Sequence, residues 1–475
     1  MSRLDRSSRA ATVAATTPAT VAATTPARPD PYPRRLLITV IAGVVVFSSS
    51  MTIVSASLPT MADDLDSSEA FLAWSVTGLF LVMAVGTPIF GRLGDIYGHR
   101  RLFLTGATIL SVGTILCGLA PTAEAFVAAR MIVGLGISAT MPNGMALIMA
   151  AYSLQRRSEA MGWFQMAMTG APVIGLVIGG PLIDAFGWRY IFAVLAPISF
   201  GGVIASWKVI KPSPRGEPIP IDWLGAATLG TATLTFLLFL EQGSSTSFAD
   251  GPALALAAAS VVSLLVFIRI EQRVSHPLLK LRYFRRPNFT GPLIAQPLSQ
   301  FAYMGGFLIA PLLLDELFGY SVAAIALVLL ARPLVYSVLS PVGGRLANTV
   351  GERSMIVSGS VLMVLSMIAW VFGAHWTSLP MVVLGLILSG TAMGLASPAY
   401  TTVIAAAVDE GDLGIANAMG TTMMNIGMLT GIQAMFTVLG DGRGPDDFAL
   451  VFGFGAIVTA FGLIGGLMVT SSNRA

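Results

Sequence analysis

Long apolar runs are the feature that most limits what this 475-residue chain can fold into. A helix needs about 20 mostly apolar residues to cross the hydrocarbon core of a bilayer. Runs that reach or approach this length lie at residues 36–58, 72–91, 102–120, 125–150, 161–183, 190–210, 224–240, 252–268, 289–314, 322–341, 355–374, 379–407, 415–439 and 448–469. They predict an all-α integral membrane protein with 14 transmembrane helices.

Composition supports this prediction. Hydrophobic residues make up 55% of the chain and charged residues only 11%, whereas soluble domains carry about 25% charged residues. The net charge of +3 is too mild to predict a nucleic-acid partner. The single cysteine, Cys117, lies inside an apolar run, and the chain has no Cys/His spacing typical of a metal site, so we expect no metal and no cofactor.

The basic residues predict the orientation, because Lys and Arg concentrate in cytoplasmic loops. With the N-terminus inside, only Arg189 and Arg443 of the 27 basic residues fall outside, and only Arg130 and Arg332 fall within spans. We therefore expect a multi-pass plasma-membrane protein with both termini in the cytoplasm.

The chain divides into five parts. Residues 1–33 contain "ATVAATTP" twice and are predicted to be a disordered cytoplasmic tail. A six-helix bundle follows at 34–210, two inserted helices with cytoplasmic linkers at 211–288, and a second six-helix bundle at 289–470. A short tail covers 471–475, and we expect a monomer.

A charged ten-residue stretch occurs twice, at corresponding places in the two bundles. "GRLGDIYGHR" (91–100) follows the second span of the first bundle, and "GRLANTVGER" (344–353) follows the second span of the other. "AMG" likewise recurs at 160–162 and 418–420, in the two fifth spans. Repeated halves are typical of secondary transporters, which bind substrate between the halves near the membrane centre.

Residues 36–470 resemble the major facilitator superfamily, in particular its fourteen-span drug:proton antiporters. The first stretch matches the family's loop motif, which acts as a latch when the halves rock, at Gly91, Leu93, Asp95, Gly98, Arg100 and Arg101. Asp95 is suited to accept hydrogen bonds from a helix N-terminus. The second copy keeps Gly344, Gly351 and Arg353 but has Asn348 in place of the aspartate, so we expect only the first latch to depend on charge. The alternative is a tight, positively charged loop without a gating role.

Two spans carry further matches to the family. Arg130 with Gly134 fits its Arg-x-x-x-Gly pattern, which implies a proton-relay residue; the alternative is an arginine that snorkels to the outer surface. The fifth span fits the antiporter signature in part, at Gly162, Ala171, Pro172, Gly175, Gly179 and Gly180. A stripe of small residues is also common where helices simply pack.

Candidates for the substrate cavity are polar or aromatic residues within spans. Ser50 stands where this group often has an aspartate, and no carboxylate lies clearly inside a span. Arg332 is a charged residue within a span, and we expect it to bind an anionic group of the substrate. The alternative is that it bonds a carbonyl freed by Pro333. The remaining candidates, each equally suited to an interhelical hydrogen bond, are Asn143, Gln165, Gln296, Gln300, Tyr303, Tyr336, Asn417 and Asn425.

We therefore predict a non-enzymatic exporter of small, amphipathic molecules that works by alternating access in exchange for protons. The alternatives are an exporter of one endogenous metabolite and a carrier with other coupling. No P-loop supports a nucleotide-driven pump. "DDLD" (63–66) is similar to acidic sites of membrane-embedded prenyl transferases, but it faces outward and has no partner acidic cluster.

Overall fold

The structure is a computed structural model. It describes residues 31–212, 222–245, 249–275, 277, 280–320, 322–440 and 442–470. Within these ranges it does not describe the side chains of 46–53, 55–59, 69–70, 73, 77, 84, 172–184, 237, 241, 243–245, 322–323 and 326. Residues 1–30 of the tail predicted at 1–33, the tail at 471–475, and the side chains at positions Ser50, Pro172, Gly175, Gly179 and Gly180 therefore lie outside what is described.

Helices account for the regular structure of the described residues, which contain no β-strand. The first half of the chain forms α1 (Tyr32–Asp64), α2 (Glu69–Tyr97), α3 (His99–Leu119), α4 (Ala123–Ala151), α5 (Arg157–Phe186) and α6 (Trp188–Val209). The inserted pair is α7 (Trp223–Ser245) and α8 (Gly251–Glu271). The second half forms α9 (Pro287–Phe318), α10 (Val322–Leu329), α11 (Ala331–Val350), α12 (Glu352–His375), α13 (Leu379–Ala406), α14 (Leu413–Leu439), α15 (Pro445–Ala460) and α16 (Gly462–Met468).

Twelve candidate membrane spans satisfy the length and hydropathy needed to cross a bilayer in the described part of the chain. The all-α membrane fold is thus confirmed. Helices α1 and α5 are 33 and 30 residues long, but both contain stretches whose side chains are not described. The count of 14 transmembrane helices therefore stays a prediction.

The span predicted at 322–341 has different bounds and is interrupted. The helix breaks at Leu330 and then continues to Val350. Pro333 accounts for the break, because proline has no N–H to donate and its ring clashes with the carbonyl four residues earlier, that of Leu329. The membrane crossing is therefore made by α10 and α11 together.

Each half packs mainly within itself. In the first half α3 packs on α4 and α6, and α2 on α4; in the second half α12 packs on α13 and α15, and α9 on α14 and α16. Aromatic rings fill the first core, where Phe126 meets Trp188 and Phe192 edge to face. Trp370 meets Phe452 in the second core in the same way.

The two halves touch chiefly along α2 with α14 and α5 with α11, and less extensively along α5 with α13 and α4 with α14. The inserted helices pack on each other, and α7 also contacts α2 and α14. These cross-half pairs place both copies of the repeated stretch against the opposite half, at one end of the molecule. We call this end, marked by the turns at Gly98 and Gly351, the motif face.

Candidate functional site

Both copies of the repeated stretch make the same helix–turn–helix connection. Gly98 between α2 and α3 and Gly351 between α11 and α12 each have φ of 94°, a conformation that strains any residue with a Cβ. Arg100 donates to the carbonyl of Trp207 at 2.8 Å, whereas Arg101 and Arg353 are exposed. Both copies therefore make the turn through the backbone conformation of a glycine.

Asp95 joins the two halves through the beginning of α14. Its buried carboxylate accepts the N–H of Gly414 at 2.7 Å and that of Ile415 at 3.0 Å. The first N–H groups of a helix have no partner within the helix, and the helix dipole favours an anion there. The contact closes the gap between α2 and α14.

Gly91 permits this closure because it lets the two backbones meet. A Cβ at Gly91 would lie 2.6 Å from the carbonyl oxygen of Gly414, too close for any side chain. Leu93, also part of the motif, is half-buried on the same helix.

A buried ion pair lies beside this contact and was missed by the sequence analysis. Arg92 donates to Asp412 at 2.8 Å, and both side chains are at least 90% buried. The family motif points to Arg100 and Arg101, and not to Arg92. The signal that could have found Arg92 is its presence in both copies, directly after the glycine of close approach.

The second copy also carries a charge contact between the halves. Gly344 packs against the backbone of Ser158, and Arg345 donates to Glu159 at 3.1 Å. Asn348 does replace the aspartate, as the sequence shows, and the expectation that only the first latch depends on charge stays a prediction. The ion pairs of the two copies differ in burial, because the Arg345 side chain is 61% exposed.

A small cavity lies between the halves on the inner side of this closure. Its volume is about 40 Å³, which is room for a few water molecules at most. Its lining comes from α4, α5, α9, α13 and α14: Met141, Met145, Phe164, Gln165, Met168, Gln296, Thr401, Ile404, Asn417, Gly420, Thr421 and Met424.

Three of the predicted cavity residues, Gln165, Gln296 and Asn417, meet in this cavity. The Oε1 of Gln296 and both amide atoms of Asn417 have no hydrogen-bond partner among the described residues, although both side chains are buried. A buried polar group without a partner is costly. The cavity therefore presents amide groups that a polar ligand or water would satisfy.

The other predicted cavity residues lie elsewhere. Asn143 donates to the carbonyls of Phe90 and Ala139 at 3.0 and 2.8 Å, and its oxygen lies 2.8 Å from Nδ1 of His99, so its amide serves helix packing. Gln300 and Asn425 are buried but do not line the cavity. As substrate contacts, Gln300 and Asn425 stay predictions.

Arg332, Tyr303 and Tyr336 form a separate cluster in the second half. The guanidinium of Arg332 lies 3.2 Å from the centre of the Tyr303 ring and 4.5 Å from that of Phe307. Its nitrogens have no hydrogen-bond acceptor among the described residues, so the alternative of a bond to a carbonyl freed by Pro333 has no counterpart there. Tyr336 bonds Ser397 at 2.7 Å. The cluster is an aromatic cradle around a buried cation.

Arg130 and Gly162 are both packed between helices. Arg130 is fully buried and donates to the carbonyl of Ser75 at 3.2 Å, which the snorkelling alternative does not fit. Gly162 lets α5 approach the Ser340 backbone of α11, and Ala171 is buried on the same helix. Gly162 of the antiporter signature thus lies at a contact between the halves.

The acidic stretch at 63–66 has a structural partner. Asp64 accepts a hydrogen bond from Trp188 at 3.0 Å and pairs with Arg189. Among the described residues, no group of three or more His, Cys, Asp or Glu is placed to hold a metal ion.

Comparison with known families decides what this architecture is. The sequence profile of the Major Facilitator Superfamily matches residues 39–295 and 293–474, which is most of the chain. The chain belongs to the Major Facilitator Superfamily. The resemblance found in the loop motif is thereby confirmed, and the protein is a multi-pass membrane transporter of this superfamily.

Superfamily members named for drug resistance are among its relatives. Multidrug resistance protein Stp of Mycobacterium tuberculosis is 28% identical, over 86% of this chain and 76% of that protein. Methylenomycin A resistance protein of Streptomyces coelicolor is 26% identical, over 92% and 91%. Multidrug export protein EmrB of Haemophilus influenzae is 28% identical, over 72% and 66%.

Solved structures of the superfamily share the fold. The human organic anion transporter MFSD10 superposes with a TM-score of 0.66 at 15% identity, covering 90% of this chain and 99% of that one. A double-tryptophan mutant of XylE gives a TM-score of 0.69 at 12% identity, covering 94% and 97%. At these identities the likeness extends to the helical architecture alone.

Proposed function

We propose that this superfamily member exports small amphipathic molecules from the cytoplasm by alternating access, in exchange for protons. One observation carries the proposal: a cavity lined by unpartnered amides and methionines lies between halves that are tied together at the motif face. A substrate-sized cavity needs about 300 Å³ or more, so the halves must separate before a substrate enters. The names of the drug-resistance relatives support the class of substrate and the direction.

The proposed topology follows the sequence prediction. The protein has 14 spans, with the motif face and both termini in the cytoplasm of the cell and the body in the plasma membrane. Residues 34–210 and 289–470 are the two moving bundles, and 211–288 carries the inserted helices. The protein acts as a monomer without a cofactor.

The cavity lining favours substrates with a neutral hydrogen-bonding group on an apolar frame. Gln165, Gln296 and Asn417 each offer both a donor and an acceptor, and the flexible methionines adapt to different shapes. This combination suits a promiscuous site better than a site for one metabolite.

Arg332 supplies a second substrate contact in this proposal. A cation held only by aromatic rings in a protein interior attracts an anion when the cavity opens. Substrates that carry a carboxylate or sulfonate would pair with it. The described lining of the cavity contains no carboxylate, so protons would have to couple through groups outside it, with Arg130 as the candidate relay residue.

Transport by the purified full-length protein in liposomes tests the proposal. We expect a fluorescent amphipathic dye to move against its gradient when a pH gradient is imposed, and to stop when nigericin collapses that gradient. Dye flux that does not depend on the pH gradient would exclude proton exchange and support a carrier with other coupling. The absence of any flux for a panel of neutral, anionic and cationic dyes would overturn the export proposal.

A further inference from the structure

The segment between the inserted helices and the second half contains a buried side chain that the proposed function does not yet use. After α8 the chain forms a short 3₁₀ helix, Leu281–Arg285, which leads into α9. Tyr283, at its centre, is 0% exposed. A fully buried tyrosine in a linker indicates a specific contact, because linkers between packed elements are ordinarily exposed.

Tyr283 and Lys280 hold the acid that pairs with Arg92. The phenol of Tyr283 donates to Oδ2 of Asp412 at 2.5 Å, and the amine of Lys280 lies 2.6 Å from the same oxygen. Arg92, from the first half, takes the other oxygen, Oδ1, at 2.8 Å. Each oxygen of the carboxylate therefore has its own partners, and the two from the linker fix the orientation in which Asp412 meets Arg92.

A second acid, Asp409, also binds the linker. Asp409 accepts from Arg282 at 2.7 Å, and Arg286 donates to the carbonyl of Ala407 at 2.6 Å. The backbone N–H of Asp409 also donates to the hydroxyl of Tyr283 at 3.4 Å. Burial, followed by the hydrogen bond to Asp412, raises the pKa of the Tyr283 phenol, so its proton stays available to donate.

The contacts form a chain across three parts of the molecule. The linker of the inserted helices holds the loop between α13 and α14, and that loop holds α2 of the first half. Without the phenol and the amine, one carboxylate oxygen of Asp412 would be buried and unsatisfied, a loss that costs the full desolvation of that oxygen. The pairing with Arg92 would then compete with rotation of the carboxylate towards water.

We propose that Tyr283 and Lys280 are positioning residues of the closure at the motif face, so that the linker of the inserted helices controls how firmly the halves close there. The inference rests on the proposed alternating access. It gives the inserted pair a role that the six-plus-six core alone does not explain.

A disulfide sensor placed away from this cluster tests the inference. Ser158 of α5 and Thr402 of α13 face each other between the halves, with their hydroxyl oxygens 3.1 Å apart. In the double variant Ser158→Cys/Thr402→Cys, oxidation by copper phenanthroline in native membranes should form a disulfide only while the motif face is closed. The native Cys117 is buried and stays in place. The variants that carry only one of the two new cysteines are the negative controls.

Tyr283→Phe in this background removes one oxygen atom and keeps the ring. We expect the disulfide to form about tenfold more slowly or slower still, because losing a hydrogen bond to a charged group shifts an equilibrium by about ten- to hundredfold. Tyr190→Phe, a matched change at an exposed tyrosine at the start of α6, should leave the rate unchanged. An unchanged rate in Tyr283→Phe overturns the proposal.

A double-mutant cycle separates positioning from general destabilisation. If Tyr283 acts through Asp412 and Arg92, then Arg92→Gln and Tyr283→Phe together should slow the disulfide hardly more than Arg92→Gln alone. Effects that simply multiply would show that Tyr283 acts independently, and would refute the inference. If Tyr283→Phe does not reach the membrane, Lys280→Gln takes its place in the cycle with the same expectations.

The sensor reads closure without any substrate. A loss of proton-coupled export in liposomes would therefore overturn the proposed function while leaving a slowed disulfide intact. A normal disulfide rate with normal export would overturn only the role of the linker.

Discussion

Asp95 shows how much one side chain contributes to the contact between the halves. In Asp95→Asn the remaining oxygen can accept from Gly414, but the amide NH₂ faces the N–H of Ile415 and loses that bond, together with the charge at the helix N-terminus. Hydrogen bonds to charged groups contribute about 1.5–3 kcal/mol. We expect dye export to fall by about tenfold.

Export by Asp95→Asn is measured at equal protein in the membrane, with a fluorescent tag as the gauge of insertion. Asn348→Asp, the reverse change at the equivalent place in the second copy, is the matched control. Normal export in Asp95→Asn, or loss of its insertion, would contradict a role in gating.

Arg332 is the residue for which selectivity, and not overall rate, is the informative measurement. Arg332→Ala removes the buried cation from its aromatic cradle, so export of anionic dyes should fall at least tenfold while neutral dyes are exported as before. Arg332→Lys should not restore it, because an ammonium is a point charge that does not stack on Tyr303 as a guanidinium does. Equal loss for neutral and anionic dyes would indicate a structural role instead.

At the scale of helices, Gly91 and Gly414 decide how closely α2 and α14 approach. Gly91→Ala would place a methyl group 2.6 Å from a carbonyl oxygen, and overpacking of this kind costs about 1–3 kcal/mol. We expect it to favour separation at the motif face and to slow the Ser158/Thr402 disulfide severalfold. Gly43→Ala on α1 is the matched control, since nothing lies within 4 Å of its added methyl. Equal rates in the two variants would contradict the close-approach argument.

The sequence predicted those elements whose determinants are local. Apolar runs of span length, two glycines at the turns and an aspartate suited to a helix N-terminus all lie within short stretches, and the structure contains the corresponding helices, turns and hydrogen bonds. Asp412 was not found because its partner Arg92 is 320 residues away. Nothing near either residue in the chain indicates that they meet.

The cavity was predictable only in part, for a similar reason. An amide within a span either bonds its own or a neighbouring helix or remains available for a ligand, and the sequence does not distinguish the two. Asn143 bonds the carbonyl of Ala139 on its own helix, whereas Asn417 remains without a partner among the described residues. The difference arises from which face of the helix meets a neighbour, and that follows from packing of the two halves.

At the scale of the whole molecule, the two copies of the motif make an approximately symmetric closure with unequal strength. Arg92 and Arg345 occupy the same place in the repeat, and each pairs with an acid near the start of a cross-half helix, α14 or α5. The first pair is buried and the second is exposed. Breaking a buried pair costs about 3–5 kcal/mol, while exposed pairs contribute about 0–1 kcal/mol.

Reversing the charge of each arginine tests this difference between the two ion pairs. Arg92→Glu places two carboxylates together in a buried site, so we expect export to be nearly abolished and the Ser158/Thr402 disulfide to form at least tenfold more slowly. Arg345→Glu, the matched change in the other copy, should reduce export less than threefold, because water screens its contact with Glu159. Arg92→Glu with Asp412→Arg should restore closure only in part, since Asp412 also serves Tyr283 and Lys280. Equal effects of the two reversals would show that repeat position, and not burial, sets the strength of the closure.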